Sequence, residues 1–299
     1  MAVSVYLPFL GAILLAALAG PVARNASPAL ATRALTLGAV VVAAASAWAI
    51  ALLVMVRVLQ VPLFTSETHV RLAGVGAEPV PTNVSEIAAI ALLSVVCAAI
   101  VVVVRRQQSL RRMARLAREC HCAGDLVVLP CDLPIALALP GREGRVVISS
   151  ALVRLLDGNG RRAVLAHERS HVRHRHDLYR LVVALCAAIN PLLWPVLAEV
   201  AFSIERWADE DAAHDVGDRS LVARTLVSVA LAQTDRASVN PALAFGAHRI
   251  TDRVVALDHG AARPRSIAVL GCMIPALIGA AAAVDATGAL LRLTSLGHL

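Results

Sequence analysis

Residues 85–118 read SEIAAIALLSVVCAAIVVVVRRQQSLRRMARLAR, and this stretch decides how the whole chain is laid out. The part from 85 to 104 is apolar and, as a helix, long enough to cross a bilayer, which takes about 20 residues. Arg105, Arg106, Arg111, Arg112, Arg115 and Arg118 follow at once. Arginine crowded against one end of a span marks the cytoplasmic side. The chain beyond residue 104 is therefore expected in the cytoplasm.

Working outward, two more apolar runs precede this one, at 3–20 and 34–59, and another follows at 266–292. The first has no basic region before it and is followed by further spans, so it reads as a span and not as a signal peptide. Arg24 and Arg33 lie between the first two runs, and Arg249, Arg253, Arg263 and Arg265 precede the last. The 60–84 loop carries only Arg71 against Glu67 and Glu78. The positive-inside rule then puts the N-terminus and that loop outside, 105–265 inside, and the last few residues outside. The composition agrees with a multi-pass protein of the cell membrane. The chain is 58% hydrophobic, with mean hydropathy +0.72, whereas soluble domains run at about 45–50% apolar. The net charge is +7, and every basic residue is Arg. Because the arginines flank apolar runs, they serve as a topology signal, and direct nucleic-acid binding is not expected.

The expected architecture is mostly α and integral to the membrane. Residues 1–104 form three transmembrane helices, 105–265 a cytoplasmic zincin-like α+β metallopeptidase domain, and 266–299 the last transmembrane helix with a short tail. Within the domain, 126–130, 135–139 and 146–148 are short apolar or β-branched runs, and Leu139 to Arg145 (LPGREGR) is turn chemistry, which signals a β-hairpin. Ser149 or Ser150 can cap a helix over Ala151 to Leu156. Asp157-Gly158-Asn159-Gly160 then breaks that helix, and a further helix is expected from near Arg161.

That helix carries His167-Glu168-Arg169-Ser170-His171, the pattern H-E-x-x-H. A four-residue separation puts both imidazoles on one face, one turn apart, where they can bind one zinc ion. Glu168 can act as general base on water there. The same pentapeptide also fits a solvated basic helix face, since Arg169, Arg173, His174, Arg175 and His176 surround it. Catalytic zinc usually takes a third protein ligand. Glu205 and Asp209 share a face of an acidic helix, so Glu205 can bind the metal while Asp209 accepts the far N–H of a ligand histidine. The apolar run 181–202 lies between the two halves of this site. Both halves must lie on one side of the bilayer, and 22 residues cannot cross it twice. The break at Asn190-Pro191 and Pro195 makes 181–202 a helical hairpin that dips into the membrane.

The string Ala163 to Asp177 (AVLAHERSHVRHRHD), then Asn190-Pro191-Leu192-Leu193-Trp194, then Glu205-x-x-Ala208-Asp209 resembles the BlaR/MecR-type membrane zinc metallopeptidases of the antirepressor family. The hairpin residues 138–149 resemble the strands that these proteins place before the zinc helix. The resemblance implies a gluzincin, with Zn2+ on His167, His171 and Glu205 and Glu168 as base. It also implies cleavage of the protein itself or of a cytosolic DNA-binding repressor in a signalling or resistance response. The chain departs from the best-known members in having no penicillin-binding sensor domain after its last span. HtpX-type membrane quality-control proteases share H-E-x-x-H and E-x-x-x-D and form a related alternative.

Three points stay open at this stage. His214, Tyr179 and Arg219 are candidate oxyanion stabilisers, among which the sequence does not choose. A non-catalytic zinc sensor or carrier would also use the motif, with His174 and His176 as added ligands, and a degenerate peptidase could serve as an adaptor. Cys120, Cys122 and Cys131 lie in a polar cytoplasmic region, where reduced thiols are the default. A homodimer is compatible with the sequence.

Overall fold

The computed structural model describes residues 6–59, 82–118, 122–139, 144–237, 249–260 and 266–296. The 60–81 part of the loop expected outside, the turn at 140–143, the start of the first apolar run and Cys120 lie outside the described residues. So does the side chain of Cys122.

The chain is mostly helical, with one small sheet, as expected. Helices α1 (Leu7–Asn25), α2 (Pro28–Leu59) and α3 (Thr82–Arg118) come first. Strands β1 (Cys122–Ala123), β2 (Leu126–Leu129), β3 (Ala136–Leu139) and β4 (Arg145–Ser149) follow. Then come α4 (Ser150–Leu155), α5 (Gly158–Arg173), α6 (His176–Ile189), a 3-10 turn (Pro191–Leu193) and α7 (Trp194–Val216). Helices α8 (Arg219–Ala237), α9 (Ile250–Asp258) and α10 (Ser266–Leu296) complete the described chain.

Among the described residues, four helices are long and apolar enough to cross a membrane, over Leu7–Asn25, Pro28–Met55, Glu86–Ser109 and Gly271–Gly288. The chain is a membrane protein. Helix α3 runs without a break from its apolar part into the arginine cluster, because neither Gly nor Pro interrupts the chain from Glu86 to Arg118. Ile87, Ile90 and Leu93 of α3 are about two-thirds exposed, a face suited to lipid.

The hairpin region consists of α6 and α7, joined where Asn190 leaves helical geometry and Pro191 starts the 3-10 turn. Its core is continuous with that of the spans: Val183, Cys186, Leu193, Val196 and Val200 pack with Leu15, Ala19, Leu35, Val42 and Cys272. The tip is tied by a side-chain bond. Asn190 donates to Ser46 Oγ of α2 at 2.9 Å and accepts from the Leu192 amide at 3.1 Å, with only 2% exposure. Ser46 lies 13 residues beyond Arg33 along α2, which is about 20 Å at 1.5 Å per residue.

The sheet order is β1-β2-β4-β3. The β3–β4 hairpin is antiparallel, with Leu137 opposite Val147 and Leu139 opposite Arg145. Because β3 pairs only with β4, its second edge is open among the described strands. Val146, Ile148 and Leu152 form a small core under α5.

Two caps define the helices around the motif. Ser149 Oγ accepts from the Leu152 amide at 3.1 Å and starts α4 one residue earlier than expected. The larger correction concerns Asp157. The helix over 150–155 ends before it as expected, but the Asp157 carboxylate accepts from the Gly160 amide at 2.7 Å, so α5 begins at Gly158, three residues earlier than expected. An N-cap aspartate satisfies one orphan amide and suits the positive end of the helix dipole. Asp157→Ala is expected to cost about 1 kcal/mol, read as a lower thermal midpoint with unchanged metal stoichiometry. A midpoint equal to that of the unsubstituted protein would refute the cap.

Candidate metal centre

The site forms where α5 crosses α7. Both histidines of H-E-x-x-H face α7, and two of the three residues between them, Arg169 and Ser170, lock the helix in place. Arg169 holds Asp125 of the β1–β2 turn at 2.8 and 3.1 Å, and Ser170 donates to Asp211 of α7 at 2.6 Å. The helix is thus fixed to the sheet on one side and to the hairpin on the other.

Donor atoms of His167, His171 and Glu205 lie within 4.8 Å of one another, the sole such His, Cys, Asp or Glu group among the described residues. Cys131 does not join it and is a free thiol. The His167 and His171 Nε2 atoms are 3.2 Å apart, and Glu205 oxygens lie 3.5 and 3.7 Å from them. A tetrahedral ion with bonds of about 2.0–2.1 Å separates its ligands by roughly 3.3–3.4 Å. The three donors therefore fit a zinc ion in kind and in spacing.

The electrostatics agree with this fit. Burial opposes charge on His167, but Asp209 and Glu205 outweigh it and raise its imidazole to about 10. Burial, helped by the charges of His167, Arg180 and Arg253, lowers His171 to about 3. Two ring nitrogens that face each other can share only one proton, and a cation is the alternative occupant of that gap. Burial alone would raise Glu205, yet the hydrogen bond from His167 and the charge of Arg253 hold it well below the ordinary range.

Outside the three donors, His167 Nδ1 meets Asp209 Oδ1 at 3.0 Å. Asp209 is 2% exposed and is gripped by Arg253 of α9 through two bonds of 2.7 Å. The same guanidinium reaches Glu205 Oε2 at 3.2 Å. Arg180 of α6 bonds the other Glu205 oxygen. His171 Nδ1 meets His176 Nδ1 at 2.8 Å.

A cavity of about 690 Å³ opens over this group, lined by Ala136, Leu137 and Ala138 of β3 and by Arg106, Arg175 and Arg180, among others. Glu168 projects into it. Burial raises the Glu168 carboxyl above the usual range, while the charge of His167 and, less, that of Arg180 and the hydrogen bond from the Ala138 amide act the other way.

The three oxyanion candidates from the sequence do not line this cavity. Tyr179 packs against Trp207, Arg219 is bonded to Glu210, and His214 is exposed at the far end of α7. Of the arginines that do line it, Arg106 was read in the sequence as a topology signal and Arg175 as motif surroundings, and Arg180 was not singled out. Arg253 too was counted only as a charge before the last span. Its pairing with Asp209 across 44 residues has no local signal.

Residues 105–258 match the model of Peptidase family M48. No curated protein and no solved structure matches the chain.

Proposed function

The chain belongs to peptidase family M48 and is a metallopeptidase, and we propose that it is a zinc-dependent endopeptidase of the cell membrane, working on its cytoplasmic side. Zinc is typical of this family. The observation that carries the reading is the joint placement of three metal-type donors, a part-buried glutamate and an open strand edge around one cavity.

In this mechanism His167, His171 and Glu205 hold the ion. The chemistry that zinc supplies there is Lewis-acid polarisation of the scissile carbonyl and of the attacking water. A substrate segment drawn out as a strand adds to the free edge of β3, its backbone bonded to that of β3. Glu168 takes a proton from water and returns it to the leaving amine. A carboxyl raised by burial, in reach of both steps, suits that double duty. Arg180, beside Glu205 in the cavity wall, stabilises the developing negative charge.

The proposed substrates are the protein itself or a cytosolic repressor-type protein, as the antirepressor resemblance implies. A quality-control role on membrane proteins is the second reading. It is favoured by the position of the cavity: Arg106, in its wall, follows the apolar run of α3 by two residues and pairs with Asp177 at 2.6 Å. The cavity thus opens near the bilayer surface, within reach of membrane-anchored chains.

The test compares detergent-purified wild type with Glu168→Ala, for metal content and for cleavage of itself or a co-expressed repressor. About one zinc per chain in both is expected, with a cleavage rate about 10²–10⁴-fold lower in the variant. Metal in both with equal or no cleavage would replace the peptidase by a zinc sensor or carrier.

A further inference from the structure

His176 takes no part in the mechanism above, yet it is 1% exposed and sits 2.8 Å from a metal-type ligand. Its surroundings fix its hydrogen-bonding role. His171 directs Nε2 at His167 and Glu205, so in the metal-holding form its proton must be on Nδ1. That Nδ1–H points at His176 Nδ1, which must then be an acceptor. The proton of His176 is thereby confined to Nε2, a buried atom with no hydrogen-bond partner among the described residues.

The ring is held by aromatic contacts, tilted against Trp207 and stacked with His174. Trp207 lies 4.9 Å from it and His174 5.6 Å, and His174 itself stacks on Trp207 at 4.4 Å. His174 is anchored in turn by Asp211 at 2.9 Å. Over the Trp207 ring, at 5.1 Å, lies the guanidinium of Arg33, a residue of the membrane helix α2. Cation–π contact of this kind favours one seating of the indole.

We propose that His176 is a positioning residue that orients His171 for zinc, and that Trp207, closed over by Arg33 of a membrane span, sets the orientation of His176. The proposal rests on the zinc reading above. The two ligand histidines are then oriented by different means: His167 by a carboxylate locked to an arginine, His171 by a neutral imidazole locked by aromatic packing. The neutral partner orients the ring without adding negative charge to a site that already holds Glu205, Asp209 and Glu168.

The test uses the full chain in detergent, with zinc affinity measured by competition against a chromophoric chelator and the visible spectrum recorded with Co2+. The informative pair is His176→Asn and His176→Gln. Asparagine keeps an acceptor where Nδ1 lies, whereas glutamine moves it to the place of Nε2. His176→Asn should stay near wild type, and His176→Gln and His176→Ala should lose about 10–100-fold in zinc affinity, with an altered Co2+ spectrum and retained helicity. Arg33→Gln should shift the Co2+ spectrum in the same direction, by less. Equal affinities for the Asn and Gln variants would overturn the role of His176. If His176→Ala does not fold, the Asn and Gln pair still decides. Wild type that binds no metal would overturn the zinc reading itself, an outcome distinct from normal binding in every variant, which sinks the positioning role alone.

Discussion

Arg253→Met should destabilise the protein by about 3–5 kcal/mol, the usual cost of leaving buried charge uncompensated. At about 2–4 °C per kcal/mol for a domain of this size, the thermal midpoint should fall by roughly 6–20 °C. The Arg253 side chain is 11% exposed and that of Asp209 3%, so solvent screens this pair little. Methionine fills much of the volume, which separates lost charge from lost packing. Two carboxylates lose their partner at once, because the guanidinium also reaches Glu205. Metal affinity should fall as well, by about 10–100-fold, since Asp209 would no longer be held against His167. The double variant Arg253→Met/Asp209→Asn separates the causes. It removes the stranded charge and should regain part of the stability, but not the metal affinity. A single variant whose midpoint lies within a degree or two of wild type would show that the ion pair does not hold the site together.

Gly144→Val should reduce peptidase activity far more than it reduces metal binding. Gly144 sits just before β4 with φ +40°, and a Cβ there would lie 2.2 Å from Val172 Cγ1 of α5. No side-chain rotation of the new residue relieves a Cβ clash, so Val172 or the backbone must move. The left-handed conformation adds about 1–3 kcal/mol of strain for a β-branched residue, and overpacking about 1–3 kcal/mol more. The displacement falls on the seam between sheet and motif helix, where Glu168 meets the Ala138 amide. kcat/KM should therefore drop while the three donors, all on α5 and α7, keep their spacing. Val172→Ala in the same chain removes the clashing methyl and should restore part of the activity. Activity unchanged in Gly144→Val would mean that the seam adjusts freely and does not position Glu168.

The four apolar helices, the β-hairpin and the cap at Ser149 were legible because each rests on local physics: hydropathy over a span, turn chemistry, a hydroxyl three residues before an amide. The start of α5 was placed three residues too late for a related reason. Gly158 and Gly160 signal a break, but a carboxylate at the N-cap outweighs the glycine cost at a helix start, where the amides otherwise lack partners. The motif histidines were paired by the helical period alone. Glu205 could be proposed from its spacing to Asp209, but its approach to the histidines depends on how α6 and α7 fold back on each other.

What the sequence by itself determined is the set of elements that local forces dictate: which helices can lie in lipid, where the small hairpin turns, and that His167 and His171 share a helix face. Only the tertiary structure decided which charges meet. All 28 basic residues are arginine, equivalent as letters, yet Arg253 grips Asp209, Arg180 holds Glu205, Arg169 ties the helix to the sheet, and Arg33 covers Trp207. Coulomb attraction and hydrogen bonding act over a few ångströms, and partners 25 or more residues apart are brought that close only by the packing of the whole chain.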